Sequence, residues 1–342
     1  MLSQQQIEQL LHPILQQLEV ERKEVAEAVR LNSVQAMVGS ILMLLFSISV
    51  AAIVFAVNGP FIFLLLFVII PFIITMLHRF SQEKSTRLQQ IFEEKVKTEV
   101  YQQLFKTWKA DCTYLPTKFI PSADFKQAQL YASFNDYQGD DYCRGKLEDG
   151  RHFHFSELLV RQRINHAKED PSSYQVIFKG LFFVLQGPHI FQTIPHPTWI
   201  TPQKQAAYQH KKKKQQPPSK SADYKDSILD ANFAASSAVK KEDRSLFDQL
   251  YQIKSPVQWT VRRKMSSNFQ EQLNYMRVNL RQKVSLSFQG DKIYLAVPHN
   301  FDFWIVNAKE SLLAPQRLSY LAWNFKIAFE ILERLENATT ID

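Results

Sequence analysis

Between positions 140 and 157 the sequence sets Asp140, Asp141, Cys143, His152, His154, Ser156 and Glu157 close together. Carboxylates, a thiol and imidazoles are the groups that ligate metals, move protons or attack as nucleophiles. Tyr142–Leu147 and Arg151–Leu159 alternate in polarity around Glu148-Asp149-Gly150, and Asp-Gly is a strong hairpin signal. A two-residue Asp149-Gly150 turn would pair Cys143 with Ser156, Gly145 with His154 and Leu147 with His152. Asp141, Cys143, His152 and His154 would then share one face of a sheet, since alternate residues point the same way. That face could gather metal ligands or a Cys/His pair. A one-residue slip scatters the group, and His-x-His on a strand is more often ordinary surface. No catalytic, cofactor-binding or metal-ligating residue is therefore assigned.

Asp140, Asp141, Ser156 and Glu157 form a second polar group near the same turn. They either cap backbone N–H groups or line a pocket, and capping is the favoured reading. Pro188-His189 and Pro195-His196-Pro197 are turn sequences without a ligand partner at telling spacing. The sequence has no Gly-rich phosphate loop, G-x-S-x-G elbow or H-E-x-x-H helix. With 8 Gly in 342 residues, a backbone-cradled nucleotide site has little to work with. No cofactor is expected.

The elements that must position these groups are marked by hydropathy. The 342 residues carry 41 Lys+Arg against 33 Asp+Glu, 2 Cys, 45% hydrophobic and 13% aromatic residues. That length allows about two folded units, the apolar content excludes wholesale disorder, and two Cys exclude a disulfide scaffold or a four-thiolate zinc site. The mean hydropathy of -0.24 hides one very apolar block. Ala36–Val57 contains no charge; Asn58-Gly59-Pro60 follows, and Phe61–Leu77 is again uncharged. About 20 apolar residues cross a bilayer as a helix, so the two runs predict a transmembrane hairpin, the second span being short enough to need little tilt or snorkelling flanks. Arg22, Lys23 and Arg30 precede it, Arg79, Lys84 and Arg87 follow it, and the turn is uncharged. The positive-inside rule then predicts both termini in the cytoplasm, which suits the free thiols Cys112 and Cys143. The spans hold no ionisable residue, which argues against an ion path. Ala36, Ser40, Ser47 and Ala51 allow close helix approach.

Flanking the spans, Ile7, Leu11, Ile14, Leu18, Val25 and Ala28 on one side and Leu88, Ile91, Phe92, Val96, Val100, Leu104 and Trp108 on the other recur at helical spacing. Pro13 is expected to kink the first helix or to start it. An antiparallel pair extending the hairpin into the cytoplasm is the simplest arrangement. Beyond about Ala110 the pattern turns mixed. Tyr174–Leu185 reads as buried strand, Lys283–Phe288 and Lys292–Val297 as a second hairpin about Gln289-Gly290-Asp291, and Phe269/Leu273/Met276/Leu280 and Leu318–Leu335 as amphipathic helices. The fold class is α+β with a mainly antiparallel sheet. The expected organisation is a cytoplasmic amphipathic helix 1–35, spans 36–57 and 61–77, a membrane-proximal helix 78–109, and an α+β domain 110–202 and 246–342. A lysine-rich disordered linker, 203–245, interrupts that domain. Its Lys211, Lys212, Lys213 and Lys214 are candidate contacts for anionic lipid. Specific nucleic-acid binding is not expected, because no aromatic residues or recognition motif accompany the lysines.

Tyr137-Gln138-Gly139-Asp140-Asp141, then Gly145, Phe155-Ser156-Glu157-Leu158 and Phe178-Lys179-Gly180-Leu181-Phe182-Phe183 occur in an order and spacing that resembles a bacterial family of uncharacterised two-span membrane proteins, a domain of unknown function. The resemblance covers roughly residues 80–300. It implies an inner-membrane anchor and a cytoplasmic domain, and it supplies no reaction. The lysine-rich insert and His152/His154 depart from it. The expected function is a membrane-anchored binding, scaffold or regulatory protein. The alternative is a membrane-tethered enzyme or ligand sensor with a polar site near Asp140, Asp141 and Glu157. Expected partners are the lipid bilayer and a protein partner or second copy met through the membrane-proximal helices.

Overall fold

The computed structural model describes residues 4–58, 60–108, 111–163, 174–194, 196–203, 245–300, 303–304 and 310–340. Two long helices lead the chain, α1 (Gln4–Asn58) and α2 (Pro60–Trp108). Pro60 opens the second, where its missing N–H leaves no helical bond unmade. Antiparallel contacts join the pair: Lys95 Nζ lies 2.6 Å from Glu21 Oε2, and Ser81 Oγ donates to the Asn32 carbonyl at 3.1 Å. Pro13 neither starts nor ends α1, which runs through it. The carbonyl that Pro13 leaves without a helical donor is that of Gln9, and both residues are exposed, so water serves it.

Among the described residues α1 is long and apolar enough to span a membrane, with a mean hydropathy of 1.5 in its most apolar stretch within Gln5–Phe46. The side chains expected in the second span from 61 to 72 lie outside the described residues, as does the lysine run Lys211–Lys214.

The rest of the chain is α+β. Strands β1 (Thr113–Leu115), β2 (Asp136–Lys146), β3 (His152–Arg163), β4 (Tyr174–Gln186), β5 (Thr198–Pro202), β6 (Tyr251–Lys254), β7 (Ser285–Gln289) and β8 (Lys292–Pro298) form one eight-stranded sheet in the order β1-β2-β3-β4-β8-β7-β5-β6. Every pairing is antiparallel. Among the described residues five helices accompany them: α3 (Ser122–Ala128), α4 (Leu246–Leu250), α5 (Gln258–Lys264), α6 (Ser267–Val278) and α7 (Pro315–Thr339). Tyr174–Gln186 is a single long strand, and Gly290-Asp291 closes the β7–β8 hairpin with Gln289 opposite Lys292.

Strand alternation divides the core in two. Phe153, Phe155, Leu181, Phe183, Leu295 and Val297 face one side, together with α6 and α7. Leu158, Val160, Phe182, Val184, Tyr294 and Ala296 face the other, against Phe125 and Ala128 of α3. The helical segments that flank the apolar runs belong to the first core rather than standing apart from it. Ile7, Leu11, Leu15 and Leu18 of α1 and Phe92, Val96, Val100, Leu104 and Phe105 of α2 are buried in the same cluster as the sheet. Phe105 is the pivot, its ring centroid lying 5.1 Å from Tyr114, 5.2 Å from Phe329 and 5.7 Å from Phe325. Glu19 adds a polar tie: its Oε2 accepts from Leu312 N at 2.9 Å, and Arg22 holds its other oxygen.

Because Phe105 joins α2, the sheet and α7 at one point, Phe105→Ala should destabilise the domain by about 3–5 kcal/mol. Urea unfolding of the full-length protein would show this as a lower midpoint. A loss below about 1 kcal/mol would mean that the stem does not share the domain's core.

Candidate functional site

The β2–β3 hairpin determines which side chains meet. The observed register pairs Cys143 with Phe155, Gly145 with Phe153, Arg144 with His154 and Lys146 with His152. Sequence reasoning placed this register one residue off, because it closed the hairpin with two residues. Leu147 N donates to the Arg151 carbonyl at 2.8 Å, so Glu148, Asp149 and Gly150 make a three-residue loop with Gly150 at φ 90°. The positive φ at the third loop position is why glycine stands there. The slip separates the four residues expected on one face. Cys143 points into the helix-covered core and Asp141 toward α2, while His152 and His154 face the opposite side beside Arg144 and Lys146. Burial pushes the Cys143 thiol well above its ordinary pKa, and its hydrogen bond with Cys112 adds to this, so it is a poor nucleophile.

Asp140, Asp141 and Glu157, by contrast, do come together. A β-bulge interrupts the register between Asp140, opposite Glu157, and Cys143, opposite Phe155. Asp141 takes φ 58° in that bulge, and the N–H groups of Asp141 and Tyr142 turn away from β3 to the carbonyls of Pro116 and Lys118. Gly139 precedes the bulge because a Cβ there would lie 2.6 Å from the Glu157 carbonyl oxygen. One oxygen from each of the three carboxylates falls within 4.8 Å of the others. Lys97 of α2 enters this cluster, its Nζ donating to Asp140 Oδ2 at 3.1 Å and to Asp141 Oδ1 and Oδ2 at 3.1 and 2.9 Å. Tyr114 Oη donates to Asp141 Oδ1, and Glu157 Oε2 accepts from Phe303 N at 2.9 Å. His299 stands beside it, with Nε2 3.9 Å from Glu157 Oε1.

Burial pushes the Asp141 carboxyl up to about 8, against the pull of Lys97 and the hydrogen bond from Tyr114; Asp140 nearby pushes it the same way as burial. Three oxygens of this kind are the donor set of a hard cation, and the Lys97 ammonium supplies a positive charge there. The cluster ties the long helix to the sheet, and Gln138, Asp140, Glu157 and Lys179 border a shallow depression of about 280 Å³ beside it.

Ser156 is not part of it. It projects through the other side of β3, where its Oγ accepts from Ile120 N at 3.1 Å, a backbone-capping role. Sequence reasoning missed Lys97, Tyr114 and His299. Lys97 was legible as a charged neighbour of Val96 that shares a helical flank with Val100 and Leu104, whereas Tyr114 and His299 carry no local signal. His189 is structural: its Nε2–H donates to the Gly290 carbonyl at 3.1 Å, its Nδ1 accepts from Phe191 N, and burial lowers it to about 4.

An aspartate whose folded pKa is raised from 3.8 to about 8 stabilises the fold fully below the lower value, and that contribution is lost as pH rises through the upper one. Asp141→Asn removes the titration. The melting temperature of the native protein minus that of the variant should therefore fall steadily between about pH 4 and 8 and level off above. Thermal unfolding of both proteins across that range checks it. A difference that grows on passing upward through pH 4 would instead mean an ionised Asp141 held by Lys97 as an ordinary ion pair.

Comparison with known proteins reaches the C-terminal half only. No curated protein and no solved structure matches the chain. A family model described as a protein of unknown function, DUF3137, matches residues 176–337, from within β4 to the end of α7. That span contains Phe178–Phe183 and leaves Lys97, Asp140, Asp141 and Glu157 outside it.

Proposed function

We propose that this chain is a membrane-anchored binding, scaffold or regulatory protein. In this reading the apolar parts of α1 and α2, Ala36–Val57 and Phe61–Leu77, cross a bacterial inner membrane as a hairpin, and the sheet domain stands in the cytoplasm with both termini. The observation that carries the reading is the continuity of α1. One helix holds Ile7, Leu11, Leu15 and Leu18 in the domain core and, further along, exposes Met37, Ile41, Leu42, Leu45, Phe46 and Ile48. A contiguous apolar surface of this length is what acyl chains would cover. Lys23, Arg30, Arg79, Lys84 and Arg87 lie on the domain's side of the two apolar runs, which supports the cytoplasmic assignment. The bilayer is then the first partner, with Lys211–Lys214 reaching its anionic headgroups. A protein partner or a second copy would meet the solvent-facing sides of the membrane-proximal helices, since their apolar stripes are taken up by the domain.

A second reading, a membrane-tethered enzyme or ligand sensor, draws on Asp141. Asp140 and Glu157 border an open depression, and behind them the buried Asp141 carboxyl, raised to about 8, has the pKa of a proton-transfer group.

Topology reporters test the anchor. Alkaline phosphatase inserted after Asn58 should be active, and the same enzyme fused after Trp108 should be inactive. The opposite pattern, or activity at neither point, would overturn the hairpin. In parallel, Leu42→Arg with Leu45→Arg should release the protein from membranes, since each charge near a span's centre costs about 2.5–3.5 kcal/mol. Membrane flotation reads that release directly.

A further inference from the structure

The register that separates His152 and His154 from Cys143 gives them different neighbours. Arg144 stands directly opposite His154 and Lys146 directly opposite His152. With Thr113, which pairs with Arg144 from β1, and with Tyr142, these side chains line a groove of about 400 Å³. That is the size of a small-ligand site. The slip of one residue therefore changes the chemistry: a face expected to carry an acid and a thiol carries two permanent cations instead.

Arg144 and Lys146 lie two residues apart on β2, so both cations stand on the same side of the sheet, where an anion between them would offset their mutual repulsion. Neither Arg144 nor Lys146 has an ion pair or side-chain hydrogen bond among the described residues. Asp111 is the one carboxylate lining the groove among those residues. The next, Asp124 of α3, is engaged by Lys292 at 2.9 Å and lies 3.8 Å from His154. Burial lowers the His154 imidazole below its ordinary value, so at neutral pH it is uncharged and offers one N–H and one lone pair. The Tyr142 ring lies 5.9 Å from that imidazole and gives the groove an aromatic floor.

We propose that this groove binds the phosphate group of a small soluble molecule. Two cations, two imidazoles and the hydroxyls of Thr113 and Tyr142 suit a dianionic, many-acceptor group better than a single carboxylate. A membrane lipid is the wrong source. Gln102 of α2 donates to the Cys112 carbonyl beside the groove, and it lies about 25 residues past Leu77, where the apolar run ends. At about 1.5 Å per residue that is roughly 37 Å of helix, several times the Debye length of about 8 Å at physiological salt.

The test uses full-length protein in nanodiscs of neutral lipid, with inorganic pyrophosphate as the probe and isothermal titration calorimetry as the readout. The expected result is saturable binding of one pyrophosphate per chain, weakened roughly tenfold or more by Arg144→Gln with Lys146→Gln. The variant should melt close to the native protein, because neither side chain has an ion pair or side-chain hydrogen bond to lose among the described residues. Binding should survive replacement of Lys211–Lys214 by glutamine. The proposal is overturned by absence of saturable binding, by equal affinity in the Arg144/Lys146 variant, or by loss of binding in the Lys211–Lys214 variant. Binding of a poly-glutamate peptide without binding of pyrophosphate also overturns it and would make the groove an acidic-peptide site.

Discussion

A lysine ammonium from a helix meets a fully buried carboxyl group on a sheet, and much else in this molecule follows from that contact. Lys97 and Asp141 lie 2.9 Å apart with the aspartate at 0% exposure. Either group alone in that place would cost several kcal/mol of desolvation. The position of α2 along the sheet is therefore fixed, since sliding by one turn, about 5.4 Å, would leave the ammonium and the buried carboxyl group without each other. Apolar contacts such as Phe105 against Tyr114 and Phe329 supply the larger share of docking energy, yet they tolerate repacking in a way the Lys97–Asp141 hydrogen bonds do not. The β-bulge serves the same end: an unbroken ladder would turn Asp141 back into alternation with β3, and the left-handed conformation at 58° is what aims it at α2.

With the stem fixed on one face, the two faces of the sheet take different work. The helix-covered face is aromatic and closed, with Phe105, Phe155, Phe183 and Phe329 packed around the end of α2. On the opposite face α3 covers only part of the sheet, through Phe125 and Ala128. The strand ends near the β2–β3 loop stay open there, which is where Arg144, Lys146, His152 and His154 emerge. Arg151, in the loop itself, is buried against the end of α7, donating to Thr339 Oγ1 at 2.7 Å and to the Glu336 carbonyl. The hairpin's tip is thus anchored while its outer face stays accessible.

The helices, the strands and their amphipathic faces were legible from periodicity alone, because a buried stripe every 3.6 residues or every second residue is a local property. Phe269, Leu273 and Met276 on α6 and the two hairpins illustrate this. Register was not legible. Asp149-Gly150 fits a two-residue turn as well as the last two places of a three-residue one, and a single added residue reverses every facing relation on β3. Asp140, Asp141 and Glu157 lie together, whereas Ser156, grouped with them from the sequence, lies on the far side of its strand. Lys97 and His299 escaped for a different reason. They reach the cluster across separations in sequence that no local pattern encodes.

That the stem and the domain share one core alters what the stem can pass on to the sheet. A flexible tether passes on position and nothing else. Here α1 is unbroken from Gln4 to Asn58, and its first turns are buried at Ile7, Leu11, Leu15 and Leu18. A change in helix tilt or spacing near residues 36–57 therefore cannot be absorbed at a hinge between stem and sheet. It must be met either by bending within the helices or by repacking at Phe105, Glu19 and Lys97. Of these, the Lys97–Asp141 contact is the stiffest, being hydrogen-bonded, buried and short. Asp141 sits two residues before Cys143 and three before Arg144 on the same strand, so strain at that contact enters β2 just where that strand forms the wall of the basic groove. Geometry at the apolar end of the helices and groove geometry are in this way two ends of one continuous packed path, running through a carboxyl group whose own charge changes near neutral pH.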